Sequence, residues 1–310
     1  MNNVLITGIT GKSGLYMLKE MVAHADELHD YHFTIFVRET TDTTEIDKAV
    51  EVLSIEKFVG DKKNADDVDK IMQGGYDTLV HLSTIRDSVL LVSTALKYNI
   101  SRFILVHTTG IYSKYKAAGE EYREIDAKVK EMCSKANASL AILRPTMIYG
   151  TMNDHNMSVF ISLVDKYRIC PTVNGAKYEL QPVWCGDLGK AYYRVLMCPE
   201  VTANKDYTLS GGEVIQLIDI LKFIGAQLGV NSRFISVPYW LAYSGACVIW
   251  ALTLGKKDLR EKVQRLVEPR VYNHDAATRD FGYNPLTLRE GLIPEIEEYK
   301  RKKTQRITIS

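Results

Sequence analysis

The chain has 310 residues, 46% hydrophobic and 25% charged, with a formal net charge of +1. This is the make-up of a globular protein with room for one large α/β unit or two lobes, and its balance excludes the broad electrostatic pull on which nucleic-acid binding rests. The cysteines Cys133, Cys170, Cys185, Cys198 and Cys247 are odd in number and lack paired metal-ligand spacing, so they read as reduced thiols of a cytoplasmic protein without a metal.

The first element is the apolar run Val4-Leu5-Ile6, a strand, followed by Thr7-Gly8-Ile9-Thr10-Gly11-Lys12-Ser13-Gly14 and a helical stretch from Leu15. Strand, glycine turn and helix in that order suit a phosphate. Gly8 permits the tight turn, Gly11 lets the backbone approach a pyrophosphate, and Gly14 lets helix pack on strand. The open N–H groups at the helix start then face the anion. The alternative is a plain strand-to-helix turn. Because Val4 already belongs to the fold, no signal peptide is expected before it.

Further strands are expected at Phe33–Val37, Glu56–Val59, Thr78–Leu82, Arg102–His107 and Ala138–Leu143, after the first at Asn3–Thr7. Helices fill the gaps at Ser13–Ala25, Thr44–Leu53, Asn64–Met72, Ser88–Tyr98 and Glu120–Ala136. This alternation, with near-continuous apolar strands, predicts a doubly wound parallel sheet with ligands at the carboxyl ends of its strands. Beyond Arg144-Pro145 the pattern is less regular. A helix is expected near Met157–Tyr167, strands at Leu180–Trp184 and Tyr207–Leu209, and helices at Gly186–Met197 and Glu213–Leu228. The uncharged stretch Val237–Leu254 approaches the length of a membrane span but carries Pro238, Ser244, Gly245 and Thr253. It reads as a buried helix lining an apolar pocket, with peripheral docking on a bilayer or a partner as the alternative. The basic tail Lys300-Arg301-Lys302-Lys303 reads as a solvated helix end.

Seven motifs follow one another in register: the glycine turn, Val37-Arg38, Gly60-Asp61, Leu79-Val80-His81-Leu82-Ser83, Arg102 to Tyr112, Ile142 to Gly150, and Gln181 to Leu188 with Asp280 to Leu292 closing the chain. The series resembles the NAD-dependent epimerase/dehydratase family, the extended or atypical short-chain dehydrogenase/reductases. The resemblance implies a Rossmann core over residues 1–146, continued by about 180–210, and an interleaved substrate lobe over 147–179 and 211–300.

It also implies a nicotinamide cofactor in the crevice formed by Gly8, Thr10, Gly11, Lys12, Ser13 and Gly14, with Asp61 at the adenine edge and Leu82, Ser83, Thr84 and Pro145 along the cofactor wall. Arg38 stands where an NAD site commonly has an acid, and Glu39 is displaced by one residue. Two cations, Arg38 and Lys12, favour NADP, with NAD the other possibility; solvated surface charges are the alternative reading.

Active members of that family use a Ser or Thr after the fifth strand, a Tyr that exchanges a proton, and a Lys four residues on. Thr108, Thr109 and Tyr122 take the first two places, but Asp126 stands where the Lys is usual. A carboxylate beside Tyr122 would work against its ionisation. Tyr112 and Lys116 form a decoy pair in the exit turn of the strand, and Lys114, Lys116 or Lys128 could enter from another side. His81 reads as a core or cofactor-adjacent residue with a catalytic role as the lesser alternative, His107 at the end of the fifth strand is the stronger candidate of the two, and Asp154-His155-Asn156 reads as a solvated loop, with contact to a polar substrate as the alternative. Trp184, Tyr239, Trp240 and Tyr243 could form an aromatic wall or simply pack. The resulting expectation is an NAD(P)-dependent oxidoreductase or epimerase/dehydratase acting on a small hydroxylated or carbonyl substrate such as a nucleotide sugar. The alternative is an NADP-binding regulator or scaffold without turnover, of the kind the NmrA-type redox sensors represent. A homodimer could form through the Glu120–Ala136 helix.

Overall fold

Six parallel strands follow one another through the first half of the chain: β1 (Asn2–Thr7), β2 (Tyr31–Val37), β3 (Ile55–Val59), β4 (Thr78–His81), β5 (Arg102–Val106) and β6 (Ser139–Pro145). A seventh, Lys205–Leu209, pairs parallel with β6, and the sheet runs from it through β6, β5, β4, β1 and β2 to β3. This computed structural model describes residues 2–115, 117–154 and 156–309, the last four by backbone alone.

Helices connect the strands: α1 (Lys12–Ala23), α2 (Thr44–Ala49), α3 (Ala65–Met72), α4 (Ser88–Lys97) and α5 (Gly119–Lys135). Successive strand residues point to opposite faces. In β1, Val4 and Ile6 join one apolar cluster with Met17 and Met21 of α1, while Leu5 joins another with Val68, Leu91 and Val129 of α3, α4 and α5. Both faces are therefore covered, which is why these strands lack a polar alternation.

After β6 the chain forms α6 (Met157–Lys166), then returns through α7 (Cys185–Met197), whose Leu188, Tyr192 and Leu196 share the cluster of α1. A third cluster gathers Tyr149, Met157, Ile161 and Leu180 with Ile220 and Ile224 of the helix Leu217–Leu228 and Leu292 and Ile296 of the C-terminal helix Leu288–Ile309. The five cysteines are free.

Three expectations are corrected. The strand expected over Leu180–Trp184 is two short ones, Glu179–Leu180 and Val183–Trp184, because Pro182 has no N–H to continue a ladder. The helix expected from Glu213 begins at Leu217, since Ile215–Gln216 pairs antiparallel with Glu179–Leu180. The third correction is larger. The apolar stretch forms the helix Tyr239–Leu252, but Ala246 is its one buried residue, and Trp240, Leu241, Val248, Ile249, Trp250 and Leu252 are exposed. It is exposed along most of its length instead of being buried in a pocket wall. Among the described residues no helix is long and apolar enough to cross a membrane.

Candidate active site

The sheet order reverses at β1, which lies between β4 and β2, and this opens a crevice at the carboxyl ends of those strands. The glycine turn sits in it. Gly8 has φ +81°, and a Cβ there would come within 3.0 Å of Leu82 and Ser83. A Cβ on Gly14 would fall 2.4 Å from the Ile9 carbonyl oxygen, so only glycine allows α1 to start this close to β1. Gly11 is the N-cap and supplies no side-chain acceptor, leaving the first amides of α1 open toward the crevice. The cradle thus fits a dinucleotide diphosphate by a criterion of its own: side chains would fill the space that the backbone amides need to offer.

The wall opposite comes from β4. His81 is fully buried, and burial lowers its imidazole to about 4, so it is neutral. Its Nε2–H donates to the Thr84 carbonyl at 2.9 Å, which leaves Nδ1 to accept from the Thr7 hydroxyl at 2.5 Å. His81 therefore ties the ends of β1 and β4 together and holds the Ser83-Thr84 turn. Lys62, just past β3, reaches Ser83 Oγ and pairs with the buried Asp87 at 3.0 Å. Asp61 is exposed and accepts from the Lys63 amide at 3.0 Å, and Arg38 is exposed at the end of β2. Lys12 donates to the carbonyl oxygen of Asn153, so it faces the loop after β6.

A cavity of about 580 Å³ continues from Gly11, Lys12 and Ser13 past Leu82, Thr108 and Thr109 to Gln181, Arg265 and Arg270. Thr109 Oγ1 donates to the Pro145 carbonyl at 3.1 Å, and Thr108 Oγ1 accepts from the Gly110 amide at 3.0 Å. Ser113 donates to Glu268 at 2.6 Å, which clips the turn after β5 to the far wall. At that far end the buried Nε atoms of Arg265 and Arg270 have no hydrogen-bond partner among the described residues. Burial pushes the Arg270 guanidinium down to about 10, still charged at neutral pH.

Asp126 does not stand in the cavity. It is buried beneath β5 and β6, accepts from His107 Nδ1 at 2.8 Å, and pairs through both oxygens with Arg144 Nη2 at 2.9 Å. Arg144 is 1% exposed and also bonds Asp206 at 2.8 Å. Burial raises the Asp126 carboxyl, but the His107 hydrogen bond and the Arg144 charge outweigh it and leave it below its ordinary value. Burial lowers His107, which as a neutral ring can accept from Ser88 Oγ at 3.2 Å through Nε2.

The expected conflict between Asp126 and Tyr122 is therefore absent from this geometry. Asp126 is turned into the core, while the guanidinium of Arg86 lies 5.2 Å from the centre of the Tyr122 ring and is itself held by Glu121 at 2.7 and 2.8 Å. Tyr122 is not among the residues that line the cavity, whereas Thr108 and Thr109 are. Tyr112 is half-exposed and rests against Tyr272. Lys114 and Lys128 are exposed; Lys116 and His155 lie outside the described residues.

Among solved structures, gox2253 aligns over 97% of this chain and 99% of its own, at TM-score 0.75 and 17% identity. The UDP-glucose 4-epimerase of Thermotoga maritima, solved with UDP-glucose, aligns over 97% and 99% at TM-score 0.70 and 14% identity. The dTDP-glucose 4,6-dehydratase of Bacillus anthracis, solved with NAD, aligns over 97% of each chain at TM-score 0.70 and 12% identity. The fold is that of the nucleotide-sugar epimerases and dehydratases. No protein-family model and no curated protein matches the sequence.

Within this epimerase-type fold, sequence reasoning passes over four groups: Arg265 and Arg270, which line the cavity, and Lys62 and Glu295, which hold the turns beside it. Lys62 is hidden in the charged run Gly60-Asp61-Lys62-Lys63. Arg265 and Arg270 sit in a polar stretch with no motif. The fourth is Glu295, 1% exposed in the C-terminal helix, which accepts from the Gly150 amide at 2.8 Å. Burial, and next the Asp154 charge, push its carboxyl up to about 9. Glu295 is thus protonated at neutral pH and within bonding reach of Asp154, a cavity-lining residue that accepts from the amides of Asn156 and Ser158. Acidic residues separated by so much chain carry no signature of such a pair.

Proposed function

We propose that the chain is an NAD(P)-dependent epimerase, dehydratase or oxidoreductase whose substrate is a nucleotide sugar. One observation carries this reading: a single cavity joins the glycine cradle to two part-buried arginines, Arg265 and Arg270, whose Nε atoms are buried and without a hydrogen-bond partner among the described residues. Buried guanidinium donors without partners are costly unless an anion completes them, and a diphosphate is matched by their forked donors. The motif series and the fold point the same way, and the structural neighbours named above include proteins solved with UDP-glucose and with NAD.

Gly8, Gly11 and Gly14 would admit the cofactor diphosphate to the open amides of α1. Leu82, Ser83, Thr84 and Pro145 would flank its ribose and nicotinamide, with Thr10 and Ser13 in the turn and Asp61 at the adenine edge. Bound there, the nicotinamide supplies hydride exchange. The 2′-phosphate preference rests on Arg38, since Lys12 is engaged by Asn153; NADP is the favoured cofactor and NAD remains compatible. Thr108 and Thr109 would orient the reacting hydroxyl or carbonyl. Tyr122, the proton-exchanging residue that the family pattern implies, lies outside the cavity lining with Arg86 against its ring, so that role rests on the motif and needs the Tyr122 hydroxyl to reach the bound substrate. Arg265 and Arg270 would anchor the anionic end and so fix the sugar near the cofactor.

The reading is tested by incubating the protein with NAD(P) and a panel of UDP- and dTDP-sugars, followed by proton NMR. Conversion of at least one sugar is expected. Arg270→Ala should raise KM at least tenfold with a smaller effect on kcat, because a buried charge-assisted contact is lost from bound states generally. Dinucleotide binding without any conversion, and without UDP binding by calorimetry, would favour the non-catalytic regulator instead. What speaks for that second reading is that no Lys stands four residues after Tyr122 and that Tyr122 is absent from the cavity lining.

A further inference from the structure

The helix Tyr239–Leu252 is the place where this chain departs furthest from the economy of a soluble surface. It contains no charged residue, and its only buried member is Ala246. Trp240 is 67% exposed, Leu252 80% and Leu254 89%, with Leu241, Val248, Ile249 and Trp250 also exposed along the same segment. Single exposed apolar residues need no explanation, but a contiguous set with two tryptophans marks a docking surface.

Three observations select its occupant. First, length: the helix has 14 residues, hence about 21 Å, well under the roughly 30 Å of a bilayer's hydrocarbon core. Second, charge: residues 255–262, which follow the apolar segment, carry four Lys and Arg against two Asp and Glu. The exposed Lys256 and Lys257 follow directly on Leu254, where a left-handed Leu254-Gly255 turn (φ +49° and +79°) ends the apolar segment. Third, position: the helix packs on Arg260–Leu266, which carries the cavity residue Arg265, and Arg260 stacks 4.3 Å from the centre of the Trp250 ring. An apolar face edged by tryptophan and lysine suits the layered chemistry of a lipid surface, hydrocarbon below and anionic headgroups at its rim.

We propose that Tyr239–Leu252, with Leu254 and the Lys256-Lys257 pair, docks the protein peripherally on an anionic bilayer, with its active-site cavity close to that surface. The proposal stands on the exposed helix and the lysine pair that follows it, independently of which substrate the cavity takes.

Vesicle co-sedimentation of the full chain tests it. The protein should sediment with vesicles of phosphatidylglycerol and phosphatidylcholine, and be released by 1 M salt, while vesicles of phosphatidylcholine alone retain far less. Lys256→Gln with Lys257→Gln should weaken binding about thirtyfold, at roughly fivefold for each lysine near an anionic surface. Leu252→Ser with Leu254→Ser should weaken it at least tenfold without changing the melting temperature, because both side chains are already exposed. Failure to sediment with either vesicle would overturn the proposal. So would a stable dimer in the absence of lipid that Leu252→Ser with Leu254→Ser turns into a monomer, since the occupant would then be a second copy of the chain.

Discussion

Asp126 illustrates how one residue can be misjudged from its place in a motif. At the position of a usual catalytic Lys it suggests a site spoiled by the wrong charge. In the structure it is the centre of a buried network in which Arg144 holds both its oxygens and His107 one. Asp126→Ala would leave the buried Arg144 with only Asp206, and should destabilise the fold by about 3 kcal/mol, measured by urea unfolding at pH 7. The pH dependence follows from the depressed carboxyl. Its contribution is complete above the unfolded value of about 4 and is lost as pH falls through the lower folded value, a loss the variant should not show. None of this pairing is legible in the sequence, because Asp126, Arg144 and Asp206 meet only through the strand order of the sheet.

At the scale of elements, the sequence shows best what local sterics dictate. The glycine turn is legible because backbone conformation and close approach leave room for little else at Gly8 and Gly14. The parallel strands are legible because burial on both faces makes them continuously apolar. The exposed helix Tyr239–Leu252 was not, because an uncharged apolar stretch has the same composition whether a core or a bilayer covers it. Nor was the contact between the C-terminal helix and the loop after β6, where Glu295 meets the Gly150 amide and Asp154. That contact makes a prediction of its own. Glu295 has a folded pKa of about 9, above the roughly 4.3 of an unfolded Glu, so the wild-type fold loses stability as pH rises between those values. Glu295→Gln preserves an acceptor for Gly150 and a donor for Asp154 but cannot ionise. Relative to wild type it should gain stability on the order of a few kcal/mol between pH 5 and pH 9, read from denaturation midpoints at both. An equal loss in both proteins would show that the carboxyl is not held neutral.

For the molecule as a whole, the two halves of the chain meet in one cavity. The first half contributes the glycine cradle, Leu82, Thr108 and Thr109; the second contributes Gln181, Arg265 and Arg270. The regular half was readable; in the irregular half the helices near Met157–Tyr167 and Gly186–Met197 were, but the cavity residues were not, since Gln181 lies between two short strands, Arg265 in a short polar helix and Arg270 just beyond it, all placed by tertiary packing. Whether the cradle holds a dinucleotide diphosphate is decided by a calorimetric titration with NADPH and NADH, on the wild-type chain and on Gly14→Ala. Saturable binding of at least one dinucleotide by the wild type is expected. Gly14→Ala, whose new methyl would stand 2.4 Å from the Ile9 carbonyl oxygen, should bind at least a hundredfold more weakly. No binding of either dinucleotide at millimolar concentration, or binding equally tight in a folded Gly14→Ala, would contradict that role.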